Sequence, residues 1–509
     1  MPVQPTYPGL YINEIPLNSH AIVPAPTSVT VIIGYTHLFK TKKFKVPVRL
    51  FSFSDYQREF GGMFRSGLVQ SHVPNAVNQF YLNGGSELYV VGLDPTGGNP
   101  QRLPKVTIKR IPDAAAPNKS ITFIAKELTD QVKMSLTISN LRDEGTTFDL
   151  TVTYGNAAES YRGLSLTKAD ESPIKRVNTR SELVEVEAGS DGLPAKLVEK
   201  ESVDFDFSTL SGVPATTFSA QDFVEVMKDD GALDKVDPFN IILTPGVTDQ
   251  TVSSQLVAFA EKNRAFAIID APVNATLETI EDIKSNQLPM SENGAVYFPY
   301  LKSKDAQTNL DMELPPSGSV AGLFARTDQA RGVWKAPAGL QAFVRNTTGP
   351  VERGLMTDNQ HGKLNPKAVN CLRQFPGQGT VIFGARTLVG YDGSPFPQSK
   401  YVPVRRMTLF IEQTLLANLR WVVFEPNAEP LWIAIRTSIE AFMLSLFNQG
   451  ALKGTKPSDA FRVICDSTTT TPTDIDNGIV NIQVAVAPLK PAEFVIIHIA
   501  QIAGQTAAA

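Results

Sequence analysis

Cysteine is nearly absent from this 509-residue chain. Its two cysteines, Cys371 and Cys465, are too few and too far apart for a disulfide framework, and they lack the partner spacing of a zinc site. Histidine is equally sparse: His20, His37, His72, His361 and His498 are scattered, and no H-E-x-x-H helix occurs. Long apolar runs are missing. Val29–Ile33 and Phe494–Ile497 fall far short of the roughly 18–20 residues that span a bilayer. The first residues, broken by Pro2, Pro5, Pro8 and Pro16, lack the basic-then-apolar order of a secretory signal. An excess of one charge is also lacking: 47 Lys/Arg against 51 Asp/Glu leave a net charge of −4. That removes any global basic signal for nucleic acid or a membrane surface. The expectation is a chain made in the cytoplasm, with no metal, no cofactor, no nucleic-acid partner and no membrane insertion.

What is present is ordinary globular material. Hydrophobic residues make up 42% and charged residues 19%, and the length leads us to expect two to four domains with real cores. The charge is uneven. Positions 101–210 carry 15 Lys/Arg and 17 Asp/Glu, a far denser charging than the rest of the chain. The same stretch alternates polar and apolar residues at Ile121–Phe123, Val132–Ile138, Phe148–Tyr154 and Val203–Phe207, as antiparallel strands with one wet face do. It reads as a β-rich domain inserted into a host and displayed to solvent. The host resumes with Phe239–Leu243, a helical spacing over 249–263 and Ala265–Asp270, which together make a βαβ unit on a parallel sheet. Phe298 to Gly339 reads as a second irregular excursion. Farther on, Arg405 to Leu419 is helical, Trp421–Phe424 a short strand, and Asn427 an N-cap for a helix with Pro430 in its first turn. That helix is apolar on two faces, so it is buried on both sides, by its own core or by a partner. Val480–Val486 alternates as a strand, and Phe494–Ile502 is apolar on both faces.

Signals for chemistry are weak. Gly379-Thr-Val-Ile-Phe-Gly384 mimics the glycine spacing of a phosphate loop, but Ala385 stands where the lysine should be. Asp270 ends a βαβ strand, where α/β enzymes often place a carboxylate, and it defines the enzyme alternative; a loop or cap role is the simpler reading. The acidic run Asp222, Asp229, Asp230, Asp234 and Asp237 reads as a solvated face. Arg405, Arg406, Lys453 and Lys456 are either ordinary surface charges or a basic patch meeting an acidic partner. Trp421 and Trp432 fill a core or an interface. Both chain ends are apolar and extended, so each must pair within the chain or add to a neighbour's sheet.

An ordered series of motifs goes further. Tyr7-Pro-Gly-Leu-Tyr-Ile-Asn-Glu14 resembles the P-G-[VI]-Y-x-x-E opening of contractile tail sheath proteins. Thr27–Gly34, Phe51–Asp55 with Phe60-Gly61, Phe80–Gly85 and Leu88–Val91 continue the pattern. Arg331-Gly-Val-Trp-Lys-Ala-Pro-Ala-Gly339 is similar to the family's G-V-W-x-A-P-A-G. Leu364-Asn365, Asn370, Pro376-Gly377, Gly384–Leu388, Tyr401–Arg406, Trp421–Asn427, Leu431-Trp432 and Pro491–Phe494 follow in order. The resemblance covers about 1–95 and 235–502; the charged 101–210 segment matches no shared pattern, and His498 stands where an aliphatic or charged residue is expected.

The resemblance implies an α+β or α/β multi-domain fold: a sheath core of mixed sheet and helices built from N- and C-terminal parts, plus the inserted β-rich outer domain. The expected divisions are a linker arm at 1–22, a middle domain at 23–100 with 211–395, the insertion at 101–210, an inner domain at 396–490 and a linker strand with tail at 491–509. It implies a non-enzymatic subunit of a virion tail or injection particle that stacks as hexameric rings around an inner tube and contracts. Its implied partners are copies of itself, the tube protein, the baseplate and a tail terminator. Tyr7, Gly9, Leu10, Tyr11, Ile12, Ile15, Phe494, Ile496, Ile497, Ile499 and Ile502 would form inter-subunit linker strands. Arg405, Arg406, Lys453 and Lys456 would face the tube, and Trp421, Pro426, Asn427 and Trp432 would form a core motif. Another tail or virion component remains the structural alternative.

Overall fold

The computed structural model describes residues 20–37, 40–63, 71–94, 106–126, 133–154, 157–205, 218–236, 238–304 and 311–499. The chain divides into two compact units. One draws its described residues from 20–25, 331–336 and 403–499, the other from 26–330 and 337–402.

The larger unit begins with β1 (Thr30–Tyr35), in which six consecutive residues are buried. A strand without polar alternation must be covered on both faces, as in a parallel sheet flanked by helices. After it come β2 (Pro47–Leu50), α1 (Phe53–Phe60), α2 (Val73–Leu82) and β3 (Leu88–Leu93). The chain then enters the charged segment: β4 (Val106–Pro112), β5 (Ser120–Ala125), β6 (Met134–Arg142), β7 (Thr147–Tyr154), β8 (Ala157–Ser165), α3 (Pro173–Arg180), β9 (Val184–Ala188) and β10 (Glu201–Phe205). These strands form a three-stranded sheet, β4-β5-β9, and a four-stranded sheet, β10-β6-β7-β8. Phe123, Val184 and Val186 of the first share one core with Met134, Leu136, Phe148 and Leu150 of the second. The strand alternation legible in the sequence is therefore the alternation between that core and water.

Beyond the insertion, α4 (Ala220–Val226) leads into β11 (Ile241–Leu243), α5 (Gln250–Lys262) and β12 (Phe266–Asp270). Asp249 caps α5, its carboxylate accepting from the Thr251 and Val252 amides at 2.9 and 3.1 Å. The two strands pair in parallel, so the expected βαβ unit is present. Next come α6 (Ile280–Asn286), β13 (Gly294–Phe298), β14 (Leu301–Lys304), β15 (Asp311–Leu314), α7 (Ser317–Arg331), β16 (Gly349–Pro350), α8 (Asp358–Leu364), β17 (Val369–Phe375) and β18 (Gly379–Ile382). The main sheet runs β18-β17-β13-β12-β11-β1-β3-β2. Its inner pairs are parallel, and β2 and β18 close the two edges antiparallel.

The segment 298–339 was expected to be irregular, yet it holds the fifteen-residue helix α7. Its composition misleads because its prolines and glycines have other uses. Pro315-Pro316 precede the first helical residue, where a missing N–H costs nothing. Gly318 and Gly322 let α7 touch α2: a Cβ would lie 2.5 Å from the Ala76 carbonyl oxygen at the first and 2.3 Å from that of Phe80 at the second. Backbone atoms cannot step aside, so Gly322→Ala should lower the unfolding free energy by about 2 kcal/mol or more. Gly362 in α8 has nothing within 4 Å of its added Cβ. Gly362→Ala should therefore leave the chain slightly more stable in the same denaturant titration.

The smaller unit is mainly helical, with α9 (Val402–Asn418), α10 (Glu429–Asn448), α11 (Pro457–Ala460), β19 (Phe461–Ile464), α12 (Pro472–Asp476) and β20 (Gln483–Val486). The expected strand at 421–424 is instead a 3-10 turn over Arg420–Val422 and an open loop. Leu431, Trp432, Ile435, Ile439, Phe442, Met443 and Leu446 of α10 enter the core with Met407, Phe410 and Ile411 of α9. By length and composition α10 could also cross a bilayer. Counting uninterrupted apolar runs missed this, because Glu429, Arg436 and Glu440 punctuate the helix; seven of its apolar residues fill this core.

Candidate assembly interface

The described root of the N-terminal segment is tied to the smaller unit by residues from α9 and the turn after it. Asn418 clasps the Val23 backbone in both directions: its Oδ1 accepts from the amide at 2.9 Å and its Nδ2 donates to the carbonyl at 2.8 Å. Thr414 Oγ1 accepts from the Ala25 amide at 3.1 Å. His20 stacks on Trp421, with ring centroids 3.8 Å apart and planes 13° from parallel. Trp421 is thus a platform for the chain's entry. The expected linker residues Tyr7, Gly9, Leu10, Tyr11, Ile12 and Ile15 lie outside the described residues, as does Ile502.

The expected cap of α10 is corrected by one position. Ala428 is the N-cap, without a side-chain bond. Asn427 is occupied elsewhere: its Oδ1 accepts from the Trp432 indole at 2.9 Å, and its Nδ2 donates to the Ile479 carbonyl at 3.0 Å. A buried indole N–H needs an acceptor, and Asn427 supplies one. Pro426 is exposed beside it. The loop carries Val423 at 63% exposure and Phe424 at 101%, the latter at φ 73°, outside the ordinary range for an aromatic residue.

At the other end, β19 and β20 pair only with each other among the described residues. A two-stranded ribbon is marginal alone, and this one leans on α10 and α11. The Leu452–Pro488 bridge is the last strand-type pairing along the described chain. Beyond it Phe494, Val495, Ile496, Ile497 and Ile499 are 73–89% exposed, in no strand. Of the alternatives left by the sequence, pairing of this segment within the chain does not occur among the described residues. An apolar extended arm and a ribbon with unpaired edges are complementary surfaces.

The four candidate tube-facing cations do not share one environment. Arg406 is 3% exposed and has no surface to present, which withdraws it. Arg405 is half-buried and lies 3.6 Å from Glu412. Lys453 and Lys456 are exposed. The sequence reading did not single out Ile433 and Leu444 of α10, which are 46% and 41% exposed.

Asp270 is a clamp. Buried at 1% exposure, its carboxylate accepts from the Gly246 amide at 2.9 Å, the Ser317 amide at 2.8 Å and the Ser317 hydroxyl at 2.6 Å. It joins the β11–α5 loop to the first residue of α7. Burial outweighs these bonds and pushes its carboxyl up to about 6. A carboxyl raised in the folded state favours folding most below its unfolded pKa, and that contribution is lost as pH rises through about 6. In denaturant titrations the wild type should therefore lose ~3 kcal/mol relative to Asp270→Asn between pH 4 and 7.

The phosphate-loop mimic is an edge strand: β18 begins at Gly379 and hairpins back on β17. Gly384 is small because a Cβ would sit 2.9 Å from Asn370 Cα. In the acidic run, Asp229 and Asp234 both hold Lys262, at 2.7 and 2.9 Å, and Asp222 accepts from the Tyr35 hydroxyl at 3.1 Å. Asp237 lies outside the described residues.

The exposed apolar segment at 494–499 and the two-stranded ribbon place the chain first among structural proteins. The comparisons give the family. Residues 220–388 match the phage tail sheath protein central domain, and residues 395–502 the phage tail sheath C-terminal domain. The chain belongs to the contractile tail sheath family. It is 28% identical over 261 residues to a prophage major tail sheath protein of Pseudomonas aeruginosa, covering 50% of this chain and 62% of that one. In fold it is similar to the PVC sheath complex of an extracellular contractile injection system in its contracted state, at TM-score 0.60 and 22% identity over 98% of this chain and 99% of the other. The contracted helical sheath of the anti-feeding prophage is similar at TM-score 0.58 and 21% identity, over 98% of this chain and 100% of that one. Both likenesses bear out the mixed α/β multi-domain fold.

Proposed function

We propose that this chain is made in the cytoplasm of its host, stacks as hexameric rings around an inner tube and contracts to drive that tube through a target envelope, as part of a virion tail or an injection particle. The observation that carries the reading is the exposed apolar arm at 494–499 beside a chain whose own ribbon has unpaired edges. The arm of one subunit would add a strand to the ribbon of the next, and the N-terminal segment, rooted on Asn418 and Trp421, would do the same on another side. Each added backbone bond contributes ~0.5–1.5 kcal/mol and each buried aliphatic side chain ~1.5–3 kcal/mol, so the joint can swing without parting. The energy for contraction lies in the extended lattice and needs no nucleotide, metal or catalytic residue. The helical unit would form the inner layer, with Lys453, Lys456 and the exposed Ile433 and Leu444 of α10 toward the tube. The charged insertion, with its own core, would lie on the outside. Baseplate and terminator proteins would meet the two ends of the stack. Electron microscopy of the purified chain mixed with its tube protein tests this: rings stacked on the tube are expected, and bare tubes beside free subunits would refute it.

A further inference from the structure

Arginines stacked on aromatic rings recur in the larger unit, and two of these stacks bring their own carboxylate. Arg49 lies 4.9 Å over Phe51 and pairs with Glu87 at 2.8 Å. Arg373 lies 4.9 Å over Phe375 and 5.8 Å over Phe383 and pairs with Asp358 at 2.7 Å. The third is different. Two guanidiniums, those of Arg326 at 4.4 Å and Arg345 at 5.5 Å, lie over one ring, that of Phe343, and neither has a carboxylate partner among the described residues. Arg326 donates through Nη2 to the Phe343 carbonyl, and its Nη1 is buried without a hydrogen-bond partner. Among the described residues the Arg345 guanidinium reaches only the Leu82 carbonyl, at 3.5 Å. Burial, and then the charge of Arg345, hold the Arg326 guanidinium below its ordinary pKa.

The arrangement is built, not incidental. The Arg345 amide donates to Asn83 Oδ1 at 2.8 Å, and Asn83 is itself tied to the Gln79 carbonyl at 2.9 Å. The Asn346 carbonyl accepts from Gln79 Nε2 at 3.3 Å and from Ser303 Oγ at 3.1 Å. The Val344 amide donates to the Thr380 carbonyl at 2.8 Å. These bonds hold two like charges side by side on a ring that is 40% exposed. Like charges this close repel, and an anion set between them removes the repulsion. Planar guanidiniums match the two oxygens of a carboxylate.

We infer that Arg326, Phe343 and Arg345 form a docking site for a surface carboxylate of a second copy of this chain. The inference rests on the sheath reading, which makes copies the nearest neighbours. Charge agrees: the chain carries 51 acidic residues against 47 basic ones, so a second copy offers carboxylates in excess of cations.

The test is sedimentation of the full-length chain at low and raised salt, with Arg345→Glu compared to the wild type. Arg345 is exposed and weakly held, so the variant should melt with the wild type. Wild-type association should fall as salt screens the contact. Arg345→Glu should associate at least tenfold more weakly at low salt and lose most of that salt dependence. If it melts earlier, Arg345→Gln, which adds no charge, is judged by the same criterion. Variants that associate like the wild type at every salt concentration overturn the inference and leave the sheath reading standing. A wild type that never associates overturns both.

Discussion

Removing residues 491–509 should abolish polymerisation and leave the subunit folded. The cut spares the ties that close the ribbon: Lys453 still donates to the Ala487 carbonyl at 2.9 Å, and the Leu452–Pro488 bridge remains. What goes is the segment with Phe494, Val495, Ile496, Ile497 and Ile499, none of which is less than 73% exposed. These five side chains give up almost no internal burial, so the melting temperature of the truncated subunit should match that of the full chain. In an assembly the same side chains would each contribute ~1.5–3 kcal/mol on burial, several orders of magnitude in association. Sedimentation should show the full chain as a large polymer and the truncated chain as a single species. Equal polymer from both would place the joint elsewhere.

The second large effect concerns stability. Arg386 is 1% exposed and forms an ion pair with Asp392 at 2.9 Å, and the same carboxylate takes Lys400 at 2.8 Å. Both cations hold the Asp392 carboxyl below its ordinary range, the hydrogen bond from Lys400 first. Asp392→Ala takes the ion pair from a buried guanidinium that keeps the Gly390 carbonyl, and because Asp392 is itself 54% exposed the expected cost is about 1–3 kcal/mol. The double variant Arg386→Met/Asp392→Ala removes the buried charge as well and should recover most of that loss. Denaturant unfolding of the single and double variants checks it. If the double variant is as unstable as Asp392→Ala, the loss came from packing and not from the broken ion pair.

Much of this molecule was legible where one physical demand dominated. Phe239–Leu243 and Ala265–Asp270 read as buried strands because a sheet covered on both faces leaves no place for a polar residue. The insertion read as β because one wet face imposes alternation. Legibility failed where two demands competed for one residue. Asn427 has the chemistry of a helix cap, but the Trp432 indole claims it. Gly318 and Gly322 look like a loop, but they are the contact surface of a helix. Arg406 looks like surface charge, and its place on α9 buries it. The apolar arm was visible as sequence, but only the fold shows that nothing in its own chain pairs with it among the described residues.

The exchange of that arm can be read directly. Cys371 and Cys465 are both fully buried, and burial pushes the Cys371 thiol up to about 12, so engineered thiols face little background. Subunits with Ala485→Cys on the ribbon would be mixed with subunits carrying a single cysteine at each of positions 494–499 in turn, then oxidised. A strand added to the ribbon predicts disulfide-linked pairs of subunits at alternate positions, because side chains alternate across a strand. Absence of linked pairs at every position, or equal yields at all of them, would contradict the account.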